Sequence, residues 1–171
     1  KGIWTALHAM PKVIRQNPNI HFTFGGPAES EQFVVDMNEF IKTNGLEKHF
    51  KYVGYIGDDA KRTELFRRSD IYIFPTLRDV FGLVLLHAMA ESLPIVASRE
   101  GAVPEIVNDG QTGFLFPKGD DAALAERILH LAKDSALRLK MGREGRLKYE
   151  EFYTLDAYAQ RMIKVFKSRP F

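Results

Sequence analysis

The sequence contains no cysteine, so it can form neither a disulfide nor a thiolate metal site. It has no apolar run of about 18 residues, the length at which a membrane-spanning helix becomes a candidate. Charge of one sign is not in excess: the net charge is +2, which gives no electrostatic case for nucleic acid binding. No Gly-x-Gly-x-x-Gly segment, P-loop or His-x-x-x-His pair is present. The sequence therefore predicts a globular protein without these familiar sites.

What is present is enough for one folded domain: 171 residues, of which 45% are hydrophobic. Short apolar runs alternate with segments of helical periodicity along most of the chain. The runs predict strands over 20–24, 50–54, 70–74, 94–98 and 113–117. The periodic segments predict helices over 3–14, 30–43, 59–66, from 81 to about 90, and over 120–133, 135–149 and 154–167, with a short turn around 104–106.

The predicted strands are continuous apolar runs, which favours an α/β fold with a parallel sheet covered by helices on both faces. Right-handed crossovers then place every strand-to-helix loop at the carboxyl edge of the sheet. The loops expected to meet there are 25–27, 56–58, 76–81 and 98–105. Their glycines and helix starts favour a ligand that contains phosphate, such as a nucleotide.

The segment 70–90 is the most informative part of the chain. A strand stops at Pro75, which has no N–H to donate, and a helix with Gly82 in its first turn follows a short loop. The free N–H groups and positive dipole end of such a helix start favour an anion. An ordinary strand-to-helix turn, in which the glycine only relieves crowding, accounts for the same residues.

Phe81-Gly82-Leu83 and Ala88-Met89-Ala90 resemble the signature of retaining, nucleotide-sugar-dependent glycosyltransferases of the family 4 type, which have the GT-B fold. The two acidic positions of that signature differ here, since Asp79 stands at the first and His87 replaces glutamate at the second. Other segments resemble the family in the right order: Lys1-Gly2, Gly25-Gly26-Pro27, Val53-Gly54-Tyr55-Ile56, Ser69-Asp70-Ile71, 101–107, Asp109-Gly110 and Gly113.

The resemblance implies that residues 1–171 are a Rossmann-like half of a GT-B fold, the C-terminal domain that binds the sugar nucleotide. The N-terminal domain, which supplies most of the acceptor site, is then absent, and the chain is expected to be cut from a longer protein. Residues 153–171 are similar to the segment that crosses back to that domain. The isolated domain is expected to be inactive.

The resemblance also assigns donor-binding roles. Lys1 matches a lysine that contacts the diphosphate, although a solvated terminal lysine is an alternative. Gly25 and Gly26 let the chain approach the donor. The helix start that presents N–H groups to phosphate and sugar hydroxyls matches Phe81, Gly82, Leu83 and Val84.

Four further residues match family positions, and three of them have an alternative role. Ile56 and Asp58 match the loop beside the nucleobase, but Asp58 could equally be a helix cap. Glu105 matches a donor-side position, although bracing its own loop fits the residue better. Asp79 matches the catalytic-site carboxylate near the donor sugar, and capping the next helix is its alternative.

His87 replaces the glutamate that accepts hydrogen bonds from both ribose hydroxyls. A neutral imidazole has one acceptor and one donor, so the resemblance implies a weakened ribose contact. Stacking, or no contact with the donor, is the alternative.

The implied activity is hexosyl transfer from a UDP or GDP sugar to an acceptor hydroxyl with retention of configuration, without a cofactor or metal. The acceptor would be a glycan, lipid or protein, as in polysaccharide or glycolipid biosynthesis. The resemblance implies a cytoplasmic location, with peripheral contact to the inner membrane face through the missing half. Two alternatives remain open: a degenerate nucleotide-binding module that does not transfer sugar, and a sugar-nucleotide 2-epimerase of the same fold.

Overall fold

The structure, a computed structural model, describes residues 2–168. Lys1 lies outside the described residues, as do the last three residues of the predicted cross-over segment. The elements are, in chain order, α1 (Ile3–Gln16), β1 (Phe22–Phe24), α2 (Glu31–Thr43), β2 (Phe50–Tyr52), α3 (Asp59–Arg67), β3 (Tyr72–Phe74), α4 (Leu83–Ala90), β4 (Ile95–Ser98), α5 (Val103–Ile106), β5 (Gly113–Phe116), α6 (Asp121–Lys133), α7 (Ser135–Phe152) and α8 (Leu155–Ser168).

The predicted succession of strands and helices is confirmed, with corrections at element ends. The first three strands are each three residues long, shorter than their apolar runs. The helix predicted from Phe81 begins at Leu83, because Gly82 is its N-cap residue with φ of 73° and lies outside the helical region. The helix predicted to end at Tyr149 continues to Phe152.

All the paired strands are parallel, as predicted, but they form two hydrogen-bonded groups rather than one. β1 pairs with β2, and the other group has the order β3-β4-β5. Side chains connect the groups: Phe22 of β1 and Ile73 of β3 pack against the same buried cluster. Hydrophobic packing therefore joins the two groups of strands.

The core has helices on both faces of the sheet, which confirms the predicted layering. α1 and α6 cover one face with residues such as Val13 and Ile128. α4 and α5 cover the other with residues such as Leu85 and Ile106. Every residue of β4 and β5 is buried, as a continuous apolar run requires. Burial of each large aliphatic side chain contributes about 1.5–3 kcal/mol, so this central packing fixes the strand ends from which the loops emerge.

The last helix has a different environment. α8 has no buried residue among those described, although apolar side chains recur along it. Leu155, Ile163 and Phe166 are all exposed. The apolar side chains of α8 are therefore left uncovered by the rest of the described chain.

Candidate functional site

The carboxyl edge of the sheet brings predicted site segments together in pairs. Gly2 packs so closely against Pro75 that an added Cβ would overlap the Pro75 carbonyl oxygen. Gly101 packs in the same way against the carbonyl oxygen of Asp79. Both glycines have positive φ, so the chain approaches these carbonyls in a conformation that other residues rarely adopt. The entry to α1 and the loop after β4 therefore both contact the loop after β3.

The loops after β1 and β2 also meet. A Cβ on Gly25 would lie 2.8 Å from Cδ1 of Ile56, so a larger residue there would displace the end of that side chain. The Gly26 N–H donates to the Gly54 carbonyl at 2.9 Å, and the Tyr52 hydroxyl donates to the Gly26 carbonyl at 2.7 Å. These contacts hold the loop of Gly25 and Gly26 against the loop predicted to lie beside the nucleobase.

Asp58 begins α3 as its N-cap residue. Its carboxylate accepts hydrogen bonds from the N–H of Ala60 at 2.8 Å and of Lys61 at 3.2 Å. These backbone donors, Lys61 first, lower the pKa of Asp58 below its usual value. The capping role that the sequence left open is therefore present, and the donor contact remains a prediction.

Asp79 closes the turn in front of α4. Its Oδ1 accepts hydrogen bonds from the Gly82 N–H at 2.7 Å and the Phe81 N–H at 3.2 Å. Two of the four N–H groups predicted to face a ligand are thus bound within the turn. The other two, on Leu83 and Val84, have no acceptor within residues 2–168. The start of α4 offers two adjacent donors to an anion.

Gly82 and its neighbours form the surface beside these two N–H groups. A Cβ at position 82 would lie 3.0 Å from Cδ1 of Leu85 and 3.4 Å from Cε1 of Phe74, in addition to the strain of a positive φ. Val80 is 91% exposed and Leu83 is 67% exposed, so exposed apolar side chains flank the helix start. The positive φ favours glycine here, and an added side chain would also crowd Leu85 and Phe74.

His87 lies one turn further along α4 with its ring parallel to that of Phe66, at a centroid distance of 6.3 Å and an interplanar angle of 13°. Burial lowers the pKa of His87, Arg62 lowers it further, and Asp59 partly opposes them. The imidazole is therefore predominantly neutral at pH 7. Sequence reasoning missed this α3 environment, since nothing in the spacing of the residues signals it.

Glu105 has an exposed side chain on the single turn of α5. Its backbone carbonyl accepts a hydrogen bond from Lys148 Nζ at 2.7 Å. The sequence also gave no signal for Ser98, whose buried hydroxyl donates to the Thr76 carbonyl at 2.6 Å. That bond joins the carboxyl end of β4 to the loop after β3, which also contains Asp79.

The described residues contain neither a candidate metal site nor a candidate membrane span. Between residues 2 and 168, no three His, Asp or Glu side chains are placed to share a metal ion. Within the same range, each helix is too short or too polar to cross a bilayer.

Comparison with known proteins identifies the family. The sequence profile described as Glycosyl transferases group 1 matches residues 1–148. The chain belongs to this family. The resemblance inferred from the motif around Gly82 is therefore confirmed, and the sheet with helices on both sides is the Rossmann-like half of a GT-B fold.

Three proteins illustrate what the chain is similar to in sequence or fold. Phosphatidyl-myo-inositol mannosyltransferase of Mycobacterium leprae is 33% identical over 139 residues, which cover 81% of this chain and 35% of that protein. The C-terminal domain of a group 1 glycosyl transferase from Francisella tularensis has a TM-score of 0.83 and 26% identity, covering 91% of this chain and 80% of that one. An Anabaena protein, HepE, solved in complex with UDP, has a TM-score of 0.83 and 23% identity, covering 97% of this chain and 46% of that one.

The matches also show how much of each relative the chain spans. It spans less than half the length of the curated relatives that it matches. It aligns with most of the Francisella structure, which is described as a C-terminal domain.

Proposed function

We propose that this chain is the C-terminal, donor-binding half of a retaining glycosyltransferase and that the nucleotide sugar binds at the carboxyl edge of the sheet. The observation that carries the proposal is the start of α4, where the N–H groups of Leu83 and Val84 lack acceptors in the described chain beside Gly82. Membership in the group 1 family supports a sugar-transfer activity.

The chemistry follows from charge. As the sugar leaves, negative charge grows on the departing nucleoside diphosphate, and fixed N–H donors at a helix start stabilise that charge. In the proposed reaction the acceptor hydroxyl attacks from the face that the nucleotide leaves, which retains the anomeric configuration. Lys1, outside the described residues, is proposed to add a positive charge. The acceptor, a glycan, lipid or protein, is proposed to bind mainly through an N-terminal domain that this chain does not contain.

The nucleoside is proposed to lie between the loop of Ile56 and the exposed side of His87. Gly25 and Gly26 support that loop through their contacts with Ile56 and Gly54. A neutral imidazole that stacks on Phe66 can accept one hydrogen bond from a ribose hydroxyl but not two. The proposed ribose contact is accordingly weaker than one made by a carboxylate.

A degenerate binding module is the second candidate. Two observations favour it: the Asp79 carboxylate bonds within its own turn, and His87 stacks on a neighbouring ring. Such a module would bind the nucleotide through the N–H groups of α4 but would transfer no sugar. The family match favours transfer over the epimerase alternative, since the matching profile is that of glycosyl transferases.

A turnover assay of the chain joined to its N-terminal domain separates these functions. The proposal predicts that a sugar is transferred from a UDP, GDP or ADP sugar and that the product keeps the configuration of the donor. Nucleotide binding without transfer would establish the degenerate module. A free, epimerised sugar nucleotide as product would establish the epimerase.

A further inference from the structure

Three cations of α7 each donate to carbonyl oxygens at the C-terminal end of a different helix. Arg138 donates to Leu131 and Ala132 of α6, Arg146 to Ala90 of α4, and Lys148 to Glu105 and Ile106 of α5. α7 also packs closely on the end of α4, where a Cβ on Gly142 would overlap the Ser92 carbonyl oxygen. One long helix thus supports the ends of three others, including the two that carry predicted site residues.

Lys148 makes the most complete of these contacts. Its Nζ lies 2.7 Å from the Glu105 carbonyl, 2.9 Å from the Ile106 carbonyl and 2.7 Å from Oδ1 of Asn108. An ammonium group has three N–H donors, so all of them are used. The side chain is half-buried, and burial lowers the pKa of Lys148. A lysine committed in this way differs from a solvated surface lysine.

α5 depends on such support because it is a single turn. A helix leaves its last four carbonyl groups without partners in the helix itself, and α5 contains only four residues. Lys148 supplies donors to two of those carbonyls from a different part of the chain. The Tyr153 hydroxyl reaches the same Glu105 carbonyl at 3.4 Å. The C-terminal end of α5 is therefore held by the end of α7.

The segment held by Lys148 borders the proposed donor site. Glu105 lies on α5, and Gly101, two residues before α5, packs against the carbonyl oxygen of Asp79. A shift of α5 would move Glu105 and loosen the contact that supports the Asp79 turn.

We infer that Lys148 is a positioning residue for donor binding, one that fixes the orientation of Glu105 without touching the nucleotide sugar. This inference rests on the proposed function. Part of the affinity for the donor then depends on α7. In the sequence, the charged residues of α7 look like those of an ordinary solvated helix face.

The test compares Lys148→Met with Lys140→Met, which removes an exposed lysine of the same helix that has no hydrogen bond or ion pair within the described residues. Calorimetry measures the affinity of each for UDP, GDP and ADP and their sugars, below the melting temperature of both. Lys148→Met is expected to weaken binding about 2- to 30-fold, the range for residues that act through a neighbour, and Lys140→Met to leave it unchanged. Lys148→Gln serves if the methionine variant does not fold.

A double-mutant cycle with Glu105→Ala identifies the route of the effect. If Lys148 acts through Glu105, its substitution has little further effect on affinity once Glu105 is alanine. Full additivity, or a lowered melting temperature with unchanged affinity, would overturn the inference and leave the proposed function standing. Absence of binding by the wild-type chain, both alone and joined to its N-terminal domain, would overturn both.

Discussion

Oδ1 of Asp79 lies 2.7 Å from the amide nitrogen of Gly82 and accepts its hydrogen bond. The same oxygen accepts from Phe81 at 3.2 Å. The carboxylate predicted to contact the donor sugar therefore also builds the turn that leads into α4. Of the four N–H groups at the helix start, those of Phe81 and Gly82 therefore bond within the turn. Those of Leu83 and Val84 remain for a ligand.

Substitution of Asp79 tests that structural role. Asp79→Asn keeps an oxygen that can accept both hydrogen bonds, whereas Asp79→Ala removes it. We expect alanine to lower the free energy of unfolding by about 0.5–2 kcal/mol, as loss of a capping side chain does, and asparagine to cost clearly less. Urea unfolding measures both values. Equal destabilisation by the two variants would show that the turn does not depend on this acceptor.

His87→Glu tests the ribose contact. A carboxylate can accept hydrogen bonds from both ribose hydroxyls, and the neutral imidazole can accept only one. We expect the substitution to tighten nucleotide binding by about 0.5–1.5 kcal/mol, the contribution of one hydrogen bond. Calorimetry with UDP, GDP and ADP measures the change, and His87→Gln is the uncharged control. Affinity that is unchanged or weaker in the glutamate variant would contradict the ribose assignment.

The environment of His87 also predicts a pH dependence of stability. Its pKa in the folded protein is lowered, first by burial and then by Arg62, so the unfolded chain binds a proton more readily. Its contribution to stability is therefore present above the unfolded pKa, about 6.5, and is lost as the pH falls through the lower folded value. Urea unfolding from neutral pH to about pH 5 should show a smaller loss for His87→Gln than for the wild type. If the stability of the two proteins falls equally with pH, the lowered pKa of His87 does not contribute to stability.

Gly82→Val tests the approach of a ligand to the start of α4. A side chain there would crowd Leu85 and Phe74 and would force valine into a positive φ, so nucleotide binding should be lost. Gly45→Val is the matched control, since Gly45 has φ of 64° and no atom within 4 Å of an added Cβ. It carries the backbone strain at a turn after α2. Binding that survives in Gly82→Val, or is lost equally in Gly45→Val, would contradict the assignment.

The sequence predicted the types and order of the elements because apolar periodicity reports burial directly. It placed the start of α4 at Phe81 because periodicity does not detect a side chain such as Asp79 that bonds to the backbone of its own loop. For Asp58, the residue type alone did not distinguish a helix cap from a contact with the donor. The structure shows the cap.

Contacts between segments that lie far apart in the chain could not be predicted from the sequence. Phe66 and His87 lie on different helices and meet only through the packing of α3 on α4. In the sequence, Lys148 cannot be told from an ordinary solvated lysine. Its carbonyl acceptors lie more than 40 residues earlier in the chain. The separation of the strands into two hydrogen-bonded groups likewise depends on backbone spacing that apolar runs do not encode.

The most direct test of the account is a calorimetric titration of the 171-residue chain with UDP, GDP, ADP and their sugar derivatives. We expect one nucleoside diphosphate to bind selectively, its sugar derivative to bind at the same site, and Gly82→Val to abolish the binding of both. Failure of the folded chain to bind any of them, both alone and joined to its N-terminal domain, would contradict a donor site at the start of α4.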